Sequence, residues 1–173
     1  KSLMNLASIS ENKDREKRIA VTPEIAKKYI SLGFNLSLPS NYGYHLGFSD
    51  EEYKSFGVNL SDSEEELIKN SDIIVQLGLL SDEKLSLLKE NQTLIGSLDA
   101  ISNKEKLEKL KLKKINCFSL ELLPRITRAQ SMDILSSQAN LAGYKAVIEA
   151  FQVYERAIPM MMTAAGTIPA AKV

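Results

Sequence analysis

The sequence predicts an α/β fold, doubly wound about a mostly parallel sheet, and three observations carry that reading. Short apolar runs alternate along the chain with amphipathic stretches of helical period. Ser, Thr, Asp and Pro stand at helix-start offsets in front of those stretches. The run Ile73-Ile74-Val75 is nearly continuous in β-branched residues, as expected of a strand covered on both faces.

Each element follows from local signals. Residues 3–9 alternate in part and read as the first strand. Thr22 is then a helix N-cap, with Pro23 at the first helical position and Glu24 in the first turn. Ile25, Ala26, Tyr29, Ile30 and Leu32 form the apolar stripe of that helix, and Gly33 closes it. Residues 34–38 alternate as a strand that ends at Pro39. Ser49 with Glu52, and Ser61 with Glu64, both fit the capping box, so each opens a short helix. A strand over residues 73–77, a helix over 82–89, a strand over 93–98, a helix over 103–112 and a strand over 115–120 complete the series. Such alternation means βαβ units, whose crossovers are right-handed.

Beyond Pro124 the character changes. Residues 125–133 are polar and carry two arginines, and residues 137–158 read as one long helix. Ala139, Ala142, Gly143, Ala146, Val147, Ala150, Val153, Tyr154 and Ala157 recur along it at helical spacing. Its small residues suit a helix joining two domains; a core helix of the first domain is the alternative. Pro159, Gly166 and Pro169 punctuate a loop, and residues 170–173 read as the lip of a further strand.

Composition sets the outer limits. The chain has 173 residues, 22 Lys+Arg against 22 Asp+Glu, 44% apolar and 25% charged, which is ordinary globular composition. It excludes a disordered tail and a disulfide scaffold, and its length suits one domain, or one plus part of a second. Zero net charge leaves no basic footprint, which speaks against nucleic acid as a partner. One Cys and one His cannot build a structural zinc site, so no metal is expected. Cys117, between Ile115 and Phe118, reads as a buried strand thiol, in keeping with an intracellular compartment. No apolar run is long enough to span a bilayer, and residues 1–9 are too short and polar for a signal peptide.

The segment from Arg125 to Ser137 is where chemistry could concentrate. It follows the carboxyl end of a parallel strand, where open α/β sheets bind ligands. Arg125 and Arg128 bring fixed charge and forked donors. Gln130 offers a donor and an acceptor, matching both halves of a carboxamide. Asp133 could pair with Arg125 or face a cationic ring. Gln130, Asp133 and Ser136 are spaced by three and become neighbours if the segment is helical, although Ser137 suits an ideal helix better. A polar cap with a solvated ion pair is the plainer reading of the same residues. His45 in a Gly-rich loop reads as a surface or packing residue, and three adjacent thioethers, Met160 to Met162, cannot converge on one metal.

Three motifs carry a family resemblance. Arg18-Ile19-Ala20-Val21-Thr22-Pro23-Glu24 resembles the N-terminal signature shared by alanine dehydrogenases and the NAD-binding subunit of proton-translocating transhydrogenases. The segment from Pro124 to Tyr144, with its Arg-Ile-Thr-Arg-Ala-Gln-Ser-Met-Asp core, is similar to the transhydrogenase branch, as is the segment from Met160 to Val173. The resemblance implies a Rossmann- or flavodoxin-like first domain of a two-domain subunit, with residues 1–136 as that domain. Residues 137–158 would then be a linking helix, and 159–173 the start of a dinucleotide-binding domain whose Gly-rich turn this sequence does not contain. It further implies hydride transfer from NADH to NADP⁺ coupled to proton translocation, with NAD(H) on this subunit and NADP(H) on a partner component. Arg125, Ile126, Thr127, Arg128, Gln130, Asp133 and Ser136 would line the nicotinamide end of the site, and Arg125, Gln130, Asp133 and Ser136 would position the reaction. A homodimer follows too, peripheral on the cytoplasmic side and held to the inner membrane through the partner's membrane domain. An alanine dehydrogenase would need a Lys and a His where this chain carries Gln76 and, approximately, Asp99. A non-catalytic dimerisation module is the remaining alternative.

Overall fold

The structure is a computed structural model that describes residues 3–172. The chain divides into two compact units, one running through Pro124 and the other beginning at Arg125.

The first unit holds a six-stranded sheet in the order β3-β2-β1-β4-β5-β6, and every pairing in it is parallel. The strands are β1 (Asn5–Ala7), β2 (Asn35–Pro39), β3 (Asn59–Ser61), β4 (Ile73–Val75), β5 (Thr93–Gly96) and β6 (Asn116–Ser119). The helices between them are α1 (Pro23–Ser31), α2 (Asp50–Ser55), α3 (Glu64–Asn70), α4 (Asp82–Ser86) and α5 (Lys104–Leu112). The chain winds outward from β1 to β3, then returns to β1's other side and winds outward again to β6. That reversal between β1 and β4 is the switch point of a doubly wound sheet.

Two apolar clusters hold the layers. Leu6, Leu36 and Leu38 pack with Val21, Ala26, Tyr42 and Tyr53 on the side of α1 and α2. Ala7, Ile74 and Leu94 pack with Leu67, Ile68, Leu85, Leu88 and Leu110 on the side of α3, α4 and α5. Fully burying an aliphatic side chain of this size is worth about 1.5–3 kcal/mol.

Several starts fall where the sequence places them. The Thr22 side chain accepts from the Ile25 N–H, with Pro23 opening α1, and Ser49 and Ser81 cap α2 and α4 in the same way. Other expectations are corrected. Ser61 lies in β3, and the residue that caps α3 is Ser63, which accepts from the Glu66 N–H. β3 itself is an unforeseen strand: three residues, two of them polar, made a strand only by pairing with β2. Cys117 is exposed, not buried, because β6 is an edge strand whose first three residues all face solvent.

The second unit holds α6 (Ile134–Val153) and an antiparallel pair, β7 (Met161–Thr163) with β8 (Gly166–Ile168). The helix begins three residues earlier than its apolar pattern suggests, because Asp133 caps it through the Ser136 N–H. It ends at Val153, where Tyr154 turns extended. The loop expected around Pro159 and Gly166 is a hairpin, its turn eased by positive φ at Gly166. Ala171 donates to the Ile158 carbonyl, while Val173, the last residue of the expected strand lip, lies outside the described residues. None of the α6 residues is buried, and the helix belongs to the second unit. No helix among the described residues is long and apolar enough to cross a membrane.

Candidate functional site

In the second unit the chain enters through an extended Ile126, makes a 3-10 helix over Thr127–Met132, and passes Asp133 into α6. Ala129 is the one buried residue of that turn and anchors it. The 3-10 geometry repeats every three residues. Gln130 lies in that turn, Asp133 follows it in extended conformation as the helix cap, and Ser136 stands in the first turn of α6. With Arg125, Ile126 and Thr127 they line a cleft of about 290 Å³. Six of the seven expected residues thus meet at one opening. Arg128 is exposed and lies outside that lining.

Asp133 organises the cleft. One carboxylate oxygen accepts from the Ser136 N–H at 2.9 Å, and the other from the Ser136 hydroxyl at 2.7 Å. These bonds, with the Arg125 charge adding to them, hold the carboxyl below its ordinary range, so it is ionised at neutral pH. The Arg125 Nε stands 3.9 Å from Asp133 Oδ2, with the Arg125 side chain 70% exposed. Ser137 instead donates to the main-chain oxygens of Asp133 and Ile134, so of the two serines it is Ser136 that touches the carboxylate. A helix cap and an ion pair are both realised here, within a cleft that also offers a guanidinium, a carboxamide and a hydroxyl. This donor set fits a nicotinamide: a carboxamide with both hydrogen-bonding senses, on a ring whose charge changes with oxidation.

A second cleft, of about 590 Å³, belongs to the first unit and opens beyond β1 and β4. Its lining includes Glu11, Arg15, Gln76 and Lys84. Gln76 is buried and engaged on every side: its Oε1 accepts from Ile9 N and Ser8 Oγ, and its Nε2 donates to Ile9 O and Glu11 Oε1. Glu11 also accepts from the Leu77 and Gly78 N–H groups. Burial is the largest influence on Glu11 and raises its pKa, against those two backbone donors. Sequence reasoning overlooked this residue. The signal available was an acid just past an apolar strand, at the end of the sheet where ligands gather.

The groups that deamination of an amino acid would use are not assembled there. Gln76 supplies no free donor, Asp99 is exposed at positive φ, and Arg18 clasps Glu16 with Nε at 2.8 Å and Nη2 at 2.6 Å. Among the described residues, no group of His, Cys, Asp and Glu side chains could hold a metal ion. His45 is exposed, its Nε2 2.7 Å from the Lys17 carbonyl.

Comparison with known proteins identifies the family. The family described as "Alanine dehydrogenase/PNT, N-terminal domain" matches residues 8–142. An NAD(P) transhydrogenase alpha-subunit protein of Rhodospirillum rubrum is 39% identical over 175 aligned residues, covering 98% of this chain and 46% of that one. A crystal structure of transhydrogenase from Sinorhizobium meliloti superposes with a TM-score of 0.85 at 40% identity, over 95% of this chain and 50% of that one. Alanine dehydrogenase 1 of Staphylococcus aureus (strain Mu50 / ATCC 700699) is 26% identical over 145 residues, covering 84% of this chain and 38% of that one. The chain spans about half the length of these two transhydrogenase relatives. It belongs to the alanine dehydrogenase/PNT N-terminal domain family, and its relatives near 40% identity are transhydrogenase alpha subunits.

Proposed function

We propose that this chain is the N-terminal portion of the NAD(H)-binding subunit of a proton-translocating transhydrogenase. The complete enzyme moves a hydride from NADH to NADP⁺ and couples that transfer to proton translocation. NADP(H) sits on a partner component beside a membrane domain. The subunit works as a homodimer, peripheral on the cytoplasmic side of the inner membrane. The observation that supports this best is the convergence of Arg125, Ile126, Thr127, Gln130, Asp133 and Ser136 on one cleft at the start of α6.

NADH, when bound, supplies the hydride. The residues of this chain have the task of holding its ring. Gln130 and Ser136 are placed for the carboxamide and the neighbouring ribose. Asp133 and Arg125 orient the ring and offset the charge that appears on oxidation, with Ile126 and Thr127 shaping the wall and Arg128 flanking it. A hydride moves and no substrate proton does, so the contribution is alignment at close range and needs no general acid or base. Alanine dehydrogenase chemistry has no support in the fully engaged Gln76.

Site variants in the full-length subunit, assembled with its partner component, test the proposal. Asp133→Asn keeps an oxygen for the helix cap and removes only the charge, so α6 forms as before. Hydride transfer is expected to fall on the order of a hundredfold, as for a misplaced reactant, with a smaller change in NADH binding by fluorescence. Unchanged transfer rates in both Asp133→Asn and Gln130→Ala would remove the cleft from the reaction.

A further inference from the structure

α4 and α5 flank a groove of about 190 Å³ whose apolar lining is Leu85 from one helix and Leu110 from the other, both buried. Two lysines cross it. Lys106 on α5 stands 3.1 Å from the Asp82 carboxylate at the start of α4. Lys113, the residue that caps α5, donates at 2.8 Å to the main-chain oxygen of Ser86 at the end of α4. The two links tie helix to helix at both ends of α4, so the groove is framed before anything enters it. Lys109 follows Lys106 by three residues and precedes Lys113 by four, which puts all three on one face. It lines the same groove and has no ion pair or hydrogen bond among the described residues.

The charges in the groove do not balance. Asp82 meets the charge of Lys106. Lys113 faces one of the last carbonyls of α4, where a helix end is partly negative. The charge of Lys109 is left over, beside an apolar floor. A hydrated inorganic anion gains nothing from that floor, and a neutral hydrocarbon gains nothing from the ammonium. A monoanion with an aliphatic body gains from both. We propose that the α4–α5 groove binds a short-chain aliphatic carboxylate, its head on Lys109 and its hydrocarbon over Leu85 and Leu110. Asp82 repels the head and so sets its direction, away from the start of α4. The volume equals that of about six water molecules at ~30 Å³ each, room for a carboxylate and about four carbons. The inference goes beyond the transhydrogenase reading and stands without it, since every residue named belongs to the first unit and none lines the Arg125 cleft.

Methyl NMR of the full-length subunit, titrated with sodium pentanoate, tests it. The Leu85 and Leu110 methyl resonances are expected to shift together and to saturate at ~1–10 mM, the range for so small a ligand. Lys109 is exposed, so Lys109→Gln leaves the fold intact and is expected to weaken pentanoate binding several-fold. The uncharged 1-pentanol is expected to bind several-fold more weakly than pentanoate, and inorganic phosphate to leave both methyls in place. Unmoved methyls would overturn the proposal, as would equal shifts from 1-pentanol or undiminished binding in Lys109→Gln. Shifts that appear only on adding the partner component would overturn it too, since the groove would then serve a protein surface.

Discussion

Gln76 closes four hydrogen bonds at the end of β4, two to the main chain of Ile9 and one each to Ser8 and Glu11. The network continues from Ser8 to the Tyr42 hydroxyl, which accepts in turn from the Ala20 and Val21 N–H groups. Leaving such a buried group unsatisfied costs about 1–3 kcal/mol, so these side chains fix the switch point as much as its apolar neighbours do. Glu11 is the titrating member. Burial raises its pKa above the ordinary 4.5, with Glu16 adding to the rise and Lys84 opposing it. The folded state therefore holds the proton more tightly than the unfolded one. The resulting stabilisation is complete below pH 4.5 and is lost as pH rises through the raised value. Glu11→Gln removes the titration and keeps an acceptor for Leu77 and Gly78. The unfolding free energy of the parent minus that of the variant should decline as pH rises above 4.5. A difference that is flat, or that grows with pH, would show that the carboxylate is not desolvated as described.

At the scale of elements, Gly96 sets how β4 and β5 meet. A Cβ on this residue would stand 2.5 Å from the Gln76 carbonyl oxygen, a main-chain atom held by the adjoining ladder. Gly96→Ala must push the strands apart and should cost about 1–3 kcal/mol, the range for an overpacked core. Urea unfolding measures it, and a variant as stable as the parent would mean that the ladder yields freely. The need for glycine here is invisible in the sequence, since it comes from a neighbouring strand. What could be read was local. Thr22, Ser49 and Ser81 cap their helices through N–H groups three residues on, so their signals lie within one window. Ser61 and Ser63 both stand within reach of a helix start, and only the pairing of β3 with β2 decides between them. Cys117 misled because its apolar neighbours imply burial, while the sheet simply ends at β6. Of the cleft residues, Gln130, Asp133 and Ser136 stand out by their spacing of three, and Ile126 and Thr127 enter only through the family resemblance. Their convergence needed a 3-10 turn that the spacing permits but does not dictate.

For the molecule as a whole, an isolated copy leaves one helix uncovered. α6 has no buried residue, yet Leu141, Tyr144, Val147 and Phe151 along it are 59%, 70%, 51% and 50% exposed. Met162 in β7 is 83% exposed. A helix apolar on most sides is a helix built for burial, and contiguous apolar surface on a soluble chain marks an interaction site. Small residues along α6, among them Ala139, Ala142, Gly143 and Ala146, let a second backbone come close. A two-fold contact is the commonest way for identical chains to satisfy such a surface, because each copy offers the other the same patch. The proposed homodimer then predicts sedimentation equilibrium at twice the chain mass, with dissociation on dilution. Val147→Glu with Phe151→Glu places two carboxylates one turn apart on α6. It should shift the equilibrium to monomer while circular dichroism retains the sheet signal of the first unit, whose core contains neither residue. A parent chain that stays monomeric at every concentration would transfer the covering of α6 to another component of the assembled enzyme, and the variant would then sediment no differently from the parent.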